Sequence, residues 1–327
     1  MDVFSTIEAA GGSALRGVFG ASAPYGPPAI LGALLLAGLY YLGSRRPGGR
    51  RPTMSAFGRA IFPRRVVLHP STRVDLRLWL MNGLILASTY GMLSLGLFAW
   101  RDVFDGMLGW AFGRHAPLPW PPWIVFAMAT VLQVLAYDLA YWVAHFILHR
   151  VPVFWEFHKV HHSAEVLTPL TELRQHPVEV LLVVNLIGFA TGLVFGVLTY
   201  AFGPGVRPFT LLNGNILMMG FLLTYGHLRH SNLWIPFTGL AGRILHSPAH
   251  HQLHHSTNPA HFDRNLGFAL SVWDWAFGTL IIPAKTREPV TFGLGHGENG
   301  YGSLAAACIE PATRAFRRLM PERKGAG

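Results

Sequence analysis

The sequence predicts an all-α integral membrane protein with about four to five apolar segments and a histidine-rich helical region that faces the cytoplasm. Two observations support this prediction. Hydrophobic residues make up 51% of the 327 residues and charged residues only 13%, whereas soluble proteins carry about 25% charged residues. The 17 histidines are also concentrated, because all but His69, His115 and His296 lie between His145 and His261.

The N-terminal part of the chain contains an apolar segment and a basic segment. The first residues lack the basic region of a cleavable signal peptide. The first apolar segment, residues 29–43, is short for a membrane span. Residues 44–77 then contain many arginines and one acidic residue, Asp75. Because apolar segments lie on both sides, we interpret this stretch as a cytoplasmic loop that follows the positive-inside rule, and not as a nucleic-acid-binding segment.

Four further apolar segments follow, at residues 78–100, 123–144, 178–202 and 209–225. A short turn rich in glycine and proline joins the last two, which predicts a membrane hairpin. Counting the crossings from the basic loop places residues 145–176 and 227–261 together on the cytoplasmic side. We therefore expect an N-terminal membrane anchor region (1–122), a catalytic region (123–283) and a basic cytoplasmic tail (284–327).

Three histidine groups have the spacing of one helix face, because residues three and four apart lie on the same side of a helix. One group is HxxxH and the other two are HxxHH. Several imidazoles directed at one point are typical of a metal site built between helices. The members are His145 and His149; His158, His161 and His162; and His251, His254 and His255.

The number and type of these side chains restrict the metal. Eight imidazoles exceed the four ligands of a tetrahedral zinc, and the few nearby carboxylates disfavour magnesium and calcium. Imidazole-rich sites suit iron, copper, nickel or zinc. Two iron ions that share eight or more histidines are the simplest interpretation.

Two other classes of protein remain open. A histidine-rich metal transporter needs ionisable residues along a path through several spans, and the apolar segments here carry few of them. A zinc-dependent membrane hydrolase needs a general base such as the glutamate of HExxH, which neither HKVHH nor HQLHH contains. Glu156 and Glu165 flank the second histidine group and are the carboxylates that could supply such a base.

The order HxxxH, HxxHH, HxxHH resembles the fatty acid hydroxylase superfamily, which includes sterol desaturases, carotenoid ring hydroxylases and alkylglycerol monooxygenase. The resemblance covers about residues 123–283, and the run 247–251 is similar to the alkylglycerol monooxygenase branch. Further matching positions are Asp138 before the first pair, Arg174-Gln-His176-Pro, His230-Ser-Asn232, Asn265-Leu-Gly267 and Trp273-Asp274.

The resemblance implies ten metal ligands, with His176 and His230 added to the three groups. They are His145, His149, His158, His161, His162, His176, His230, His251, His254 and His255. Supporting or uncertain positions are His227, His246, His250, Asn265 and Asp274. Asp138 lies inside an apolar segment, so we expect it to accept a hydrogen bond from the ring of a metal-bound histidine or from another helix.

The resemblance also implies an O2-dependent lipid hydroxylase or desaturase with two iron ions. The substrate would enter from the bilayer as a fatty acyl lipid, a sterol or hopanoid, a carotenoid or an ether lipid. With one cysteine, Cys308, and no nucleotide-binding or haem motif, the chain needs an external reductase with a ferredoxin or a cytochrome b5-like carrier.

The C-terminal tail and the cellular location complete the predictions. The tail carries basic residues that could dock an acidic electron carrier or attract anionic lipids, and the sequence does not decide between the two. These residues are Arg314, Arg317, Arg318, Arg323 and Lys324. We expect no nucleic-acid partner and a bacterial cytoplasmic membrane.

Overall fold

The computed structural model describes residues 26–43, 53–85, 87–295 and 301–320, and these residues are mostly helical. The first half contains α1 (Pro27–Gly43), α2 (Met54–Ile61), α3 (Arg64–Val67), α4 (Pro70–Leu80), a π-helix (Met81–Ile85), α5 (Ala87–Leu93), α6 (Leu97–Phe112), α7 (Pro122–Arg150) and α8 (Pro152–His162). A 3₁₀ helix (Pro169–Leu173) and α9 (Pro177–Phe202) follow.

The second half contains shorter elements. They are β1 (Thr210–Leu211), β2 (Gly214–Asn215), α10 (Ile216–Leu222), a 3₁₀ helix (Gly226–Leu228), α11 (Gly239–Ile244), α12 (Pro248–His254), a 3₁₀ helix (Pro259–His261), α13 (Val272–Ala276) and α14 (Leu304–Leu319). The mainly α-helical fold predicted from the sequence is confirmed. His296, Arg323 and Lys324 lie outside the described residues.

Two helices in the described part of the chain, α7 and α9, are long and apolar enough to cross a membrane. They have 29 and 26 residues, and about 20 apolar residues are enough for a span. The two helices pack against each other. The amide of Leu118, just before α7, bonds to the carbonyl of Ala201 near the end of α9, so the helices run in opposite directions. The end of α7 and the start of α9 therefore lie on the same side of the pair.

The sequence analysis expected the apolar segment at residues 78–100 to be one continuous span. In the structure it is divided into several helices. The end of α4 widens into the π-helix, and α5 is separated from α6 by a break that ends at the extended residue Gly96. Asn82 explains part of this irregularity, because its side chain donates to the carbonyls of Leu173 and Gln175. The segment folds around residues 173–175, next to the histidine region, instead of forming one straight helix.

The apolar segment at residues 209–225 also differs from the prediction. It begins with the antiparallel hairpin β1–β2 and continues as the short helix α10. The turn residues Leu212 and Asn213 have φ values of 50° and 65°, which is the geometry of a type I′ hairpin turn. Asn adopts a positive φ more readily than most residues, and this turn interrupts the apolar segment, which therefore does not form the second long helix of a hairpin.

All three predicted regions of the chain contribute to the packing around α8. Helix α14, from the C-terminal region, packs on α8, and Arg318 donates to Glu156 there. From the N-terminal region, Asp75 receives a hydrogen bond of 2.7 Å from the buried guanidinium of Arg174. The same guanidinium donates to the carbonyl of Val160 and to the hydroxyl of Ser163. It thereby fixes the backbone on both sides of the adjacent histidines at the end of α8.

Candidate metal centre

Nine of the ten predicted ligand histidines form two neighbouring groups in the structure. The five-histidine group consists of His145, His149, His158, His162 and His254, and the four-histidine group consists of His161, His230, His251 and His255. Within each group the candidate ligand nitrogens lie within 4.8 Å of one another. The groups adjoin, because the ring centroids of His162 and His255 are 4.6 Å apart.

The two adjacent histidines that end each HxxHH motif are divided between the two groups. His162 and His254 belong to the five-histidine group, and His161 and His255 belong to the four-histidine group. Neighbouring side chains on a helix point about 100° apart, so each of α8 and α12 can serve two adjacent sites. The HxxHH motif therefore supplies ligand candidates to two sites from one helical turn.

In the five-histidine group, the outer ring nitrogens determine the protonation of the inner ones. The Nδ1 of His145 lies 2.8 Å from the carbonyl oxygen of Leu266, and the Nδ1 of His254 lies 2.8 Å from that of Arg264. A carbonyl oxygen only accepts, so each Nδ1 carries the proton in the neutral ring. The Nε2 atoms are then lone-pair donors directed into the group.

Two carboxylates act in the same way on this group. The Nδ1 of His158 lies 3.0 Å from the Oε1 of Glu179, and the Nδ1 of His149 lies 3.3 Å from the Oδ1 of Asp263. Histidines that bind metals almost always donate their other ring N–H to a carboxylate, a carbonyl or water. Glu179 and Asp263 therefore orient the histidines as metal ligands require.

The inner nitrogens of this group fit a bound cation. The Nε2 atoms of His149, His162 and His254 are buried and have no hydrogen-bond partner among the described residues. The Nε2 atoms of His145 and His158 are 3.1 Å apart, yet both rings are protonated at Nδ1, so no proton lies between them. Facing lone pairs repel each other, and a metal ion among them removes this repulsion.

The four-histidine group is equally compact. The Nε2 of His230 lies 3.3 Å from that of His161, 3.0 Å from that of His255 and 2.8 Å from that of His251. Nitrogens around a tetrahedral ion with bonds of about 2.1 Å are about 3.4 Å apart. The four nitrogens therefore have nearly the spacing that a metal ion requires.

Two charged residues lie against the four-histidine group. The carboxylate of Glu172 lies 3.0 Å from the Nδ1 of His230 and 4.0 Å from the fully buried guanidinium of Arg229. Burial by itself would raise the pKa of Glu172, but Arg229 and the hydrogen bond with His230 hold this pKa below its usual range. Arg229 also lies 3.0 Å from the Nδ1 of His251 and covers the ring of Phe268.

Burial keeps the histidines of the helix ends neutral. It lowers the pKa of six of them well below the ordinary value, and nearby histidines add to the effect, because a positive charge on one ring disfavours a charge on the next. A neutral imidazole is the form that binds a metal. The six are His158, His161, His162, His251, His254 and His255.

Asp138 contacts no histidine among the described residues and bonds to backbone amides instead, so the expectation that it binds the ring of a metal ligand is wrong. It accepts hydrogen bonds from the backbone amides of Ala269 and Leu270. Asp274 accepts from the amides of Leu266 and Gly267. Both aspartates hold the loop whose Leu266 carbonyl accepts from His145, so they act on the site through the backbone.

His176 lies outside both groups. Its Nδ1 accepts from the amide of Val178 at the start of α9, and its Nε2 lies 3.0 Å from the carbonyl of Cys308. An N-terminal cap explains a histidine before a proline at a helix start, and both ring nitrogens are occupied. We therefore leave His176 out of the ligand set proposed below.

The remaining predicted positions surround the centre without joining either group. The Nε2 of His246 lies 3.2 Å from the carbonyl of Asn265, and the ring of His250 contacts the hydroxyl of Ser247 at the start of α12. Asn265 bonds to the carbonyls of His250 and Ile281. These side chains fix the loop beside α12. His227 is buried and lines a separate apolar cavity.

The sequence analysis missed Glu172, Glu179, Asp263 and Arg229. It considered Glu156 and Glu165 instead, but Glu156 pairs with Lys159 and Arg318, and Glu165 lies beside His69. Glu179 begins a long apolar helix, where an ionisable side chain is costly without a partner. That position was a signal in the sequence, whereas Glu172 and Asp263 lie in short irregular segments with no such signal.

A cavity of about 360 Å³ leads to the five-histidine group. Its walls include His149, His162 and His254, together with Trp155, Asp263 and Leu294. No member of the four-histidine group lines this cavity. Small molecules can therefore approach one group directly.

The fold and the site define a helical protein with two adjoining histidine clusters between its helix ends. Residues 130–279 match the model of the fatty acid hydroxylase family. This stretch is just under half of the chain, and it is similar to the fatty acid hydroxylase superfamily.

Named relatives agree with this assignment. Alkylglycerol monooxygenase of Xenopus tropicalis is 30% identical over 193 residues, which are 59% of this chain and 38% of that protein. Ornithine lipid hydroxylase of Rhizobium tropici is 27% identical, over 63% of this chain and 56% of that protein. A Delta(7)-sterol 5(6)-desaturase of Gibberella zeae is 25% identical over 51% of this chain and 46% of that protein.

These matches cover only part of the relatives. The chain spans between 38% and 41% of the length of the alkylglycerol monooxygenases that it matches. No solved structure matches the chain.

Proposed function

We propose that this protein is a membrane-bound di-iron oxygenase that hydroxylates or desaturates a lipid with O2 and external electrons. The observation that supports this most directly is the pair of adjoining histidine groups, each with the compactness of a single metal site. The family and the names of the relatives support lipid as the substrate. The nine grouped histidines are the proposed ligands of the two irons.

The two irons would supply the reductive activation of O2 and the attack on an unactivated C–H bond. The chain's own side chains perform the other tasks. Glu172, Glu179 and Asp263 accept the Nδ1 protons of ligand histidines and fix their rings. Most histidines of both groups are buried, which limits the contact of the reacting centre with bulk water and so limits side reactions.

Membrane crossing by α7 and α9 is part of the proposal. Their antiparallel packing puts the end of α7, with His145 and His149, beside the start of α9, with Glu179. Both spans would therefore present the site at one face of the membrane. The arginine-rich segment 44–77 assigns that face to the cytoplasm under the positive-inside rule, where a ferredoxin or a cytochrome b5-like carrier could deliver electrons.

The test is lipid oxidation by the iron-loaded protein in lipid nanodiscs with ¹⁸O2, NADPH, a ferredoxin and its reductase. The substrate panel contains an alkylglycerol, an ornithine lipid and a sterol, read by mass spectrometry. We expect one lipid either to gain one ¹⁸O atom or to lose two hydrogens. His162→Ala should abolish this product, whereas His115→Ala, at an exposed histidine outside both groups, should not. Reduced, fully iron-loaded protein that changes none of these lipids would contradict the proposal.

A further inference from the structure

A second cavity, of about 340 Å³, lies apart from both histidine groups. Its walls come from α1, the segment around α3, the 3₁₀ helix at Pro169–Leu173 and the segment 227–233. Its volume is at the lower end of the range for small-molecule sites, about 300–1,000 Å³. No histidine of either group lines it.

The wall of this cavity is almost entirely apolar. Alanine, leucine, isoleucine, valine and phenylalanine side chains form most of it. Five polar residues also line it, namely His227, Asn232, Thr72, Thr168 and Ser231. The hydroxyls of the last three donate hydrogen bonds within the protein, to Val66, Asp75 and Leu228 respectively. Water needs polar partners to occupy a cavity, and this wall offers few. An empty space of this size would forfeit packing contacts on every side.

The cavity opens beside a face that suits a membrane. Ile30, Phe62 and Val67 line it and are 44%, 57% and 44% exposed. On α1, the large side chains Leu31 and Leu35 point outward and are 59% and 70% exposed. The small residues of the same helix face inward. A hydrocarbon chain could therefore pass from the bilayer into the cavity without crossing a polar surface.

Arginines surround the segment that forms the outer wall. Arg64 and Arg65 directly precede Val66 and Val67, and Arg73 follows Thr72. All three arginines are exposed. The only carboxylate between residues 53 and 80, Asp75, is buried against Arg174. Guanidinium groups bind phosphate and carboxylate in a two-pronged geometry.

We infer that this cavity binds one hydrocarbon chain of a lipid whose anionic headgroup rests on Arg64 and Arg65. The chain could belong to the lipid substrate or to a resident lipid of the bilayer. The first source rests on the proposed function, whereas the binding itself does not require metal. The two are therefore tested separately.

The binding test uses metal-free protein in nanodiscs and a C18 fatty acid with a diazirine at its methyl end. After irradiation, we expect cross-linked peptides from residues 27–43, 167–170 and 227–233. Val67→Trp, which places a large ring at the mouth, should reduce this labelling at least tenfold. Val103→Trp is the control, because Val103 lies on α6 and is 45% exposed, close to the 44% of Val67. This variant should leave the labelling unchanged. Equal labelling in both variants, or labelling only elsewhere, would overturn the inference.

The role of the anionic headgroup is tested with a C18 alcohol that carries the same diazirine at its methyl end. We expect the acid to label the wild type several-fold more than the alcohol, and Arg64→Gln with Arg65→Gln to remove this preference. Equal labelling of the wild type by the acid and by the alcohol would overturn the inference that the headgroup is anionic.

The source of the lipid is tested with iron-loaded protein. A raised KM of Val67→Trp with unchanged kcat assigns the cavity to the substrate. An unchanged KM with a lower thermal midpoint assigns it to a resident lipid. Both results support the site, and failure of lipid oxidation in every variant would leave the metal-free binding result standing.

Discussion

The two histidine groups differ in their surroundings more than in their ligands. The five-histidine group borders a cavity, and one of its two carboxylate partners, Asp263, has a side chain that is 35% exposed. The four-histidine group instead has a fully buried guanidinium, Arg229, between Glu172 and His251. The five-histidine group therefore borders a cavity that small molecules can enter, whereas a buried positive charge lies against the four-histidine group. Within the proposed function, we infer that O2 approaches from the five-histidine side.

Among the variants that test this comparison, Arg229→Met should have the largest effect, and it should lower the free energy of unfolding. Removing one partner of a buried ion pair leaves an uncompensated charge, here on Glu172, and costs about 3 kcal/mol of unfolding free energy. Arg243→Met is the matched control, because Arg243 is exposed and covers the ring of Trp275, a contact worth about 0.5–1 kcal/mol. Chemical denaturation in detergent gives both values. Equal losses would show that Arg229 has no special role at the enclosed site.

The carboxylate partners should affect one metal each. Glu172→Gln should weaken metal binding in the four-histidine group and Glu179→Gln in the five-histidine group, each about 10- to 100-fold, because a partner of this kind fixes its ligand. Competition with a chelator measures each affinity. Glu165→Gln, at an exposed side chain beside His69, should change neither. Weakening of both metals by either variant would contradict the division into two sites.

The smallest expected effect concerns the access of small molecules to the five-histidine group. Leu294→Trp should partly fill the cavity beside the five-histidine group and slow metal removal by a small chelator several-fold from that group alone. Leu240→Trp, at an exposed leucine on α11, is the control. Stopped-flow release curves report the two phases separately. A slowed release from the four-histidine group would mean that both metals leave through this cavity.

The sequence predicted the ligand candidates better than it predicted their partners. Helical spacing is a local property, so it was sufficient to select His145, His149 and the two HxxHH motifs. The partners depend on contacts between distant segments, such as His158 with Glu179 and His230 with Glu172. His176 stays a prediction as a ligand, and its position at the start of α9 shows that a histidine that caps a helix and a histidine that binds a metal can have the same local sequence.

The membrane topology was predicted in part. In the described residues, two of the predicted apolar segments form the long helices α7 and α9. A long apolar run without helix-breaking residues favours a continuous helix. The segments at 78–100 and 209–225 contain breaks that hydropathy averages away. Gly96 and the Leu212-Asn213 turn mark two of these breaks. Counting spans from hydropathy alone therefore gave more straight helices than the fold contains.

The central claim is that the two histidine groups form a paired metal site. The most direct test is the metal content per chain, measured by elemental mass spectrometry on protein purified from iron-replete cells. The account predicts about two irons in the wild type and about one in each of His162→Ala and His255→Ala, because these residues belong to different groups. His115→Ala should keep both metals. One metal in the wild type, or an unchanged content in both group variants, would contradict the paired site.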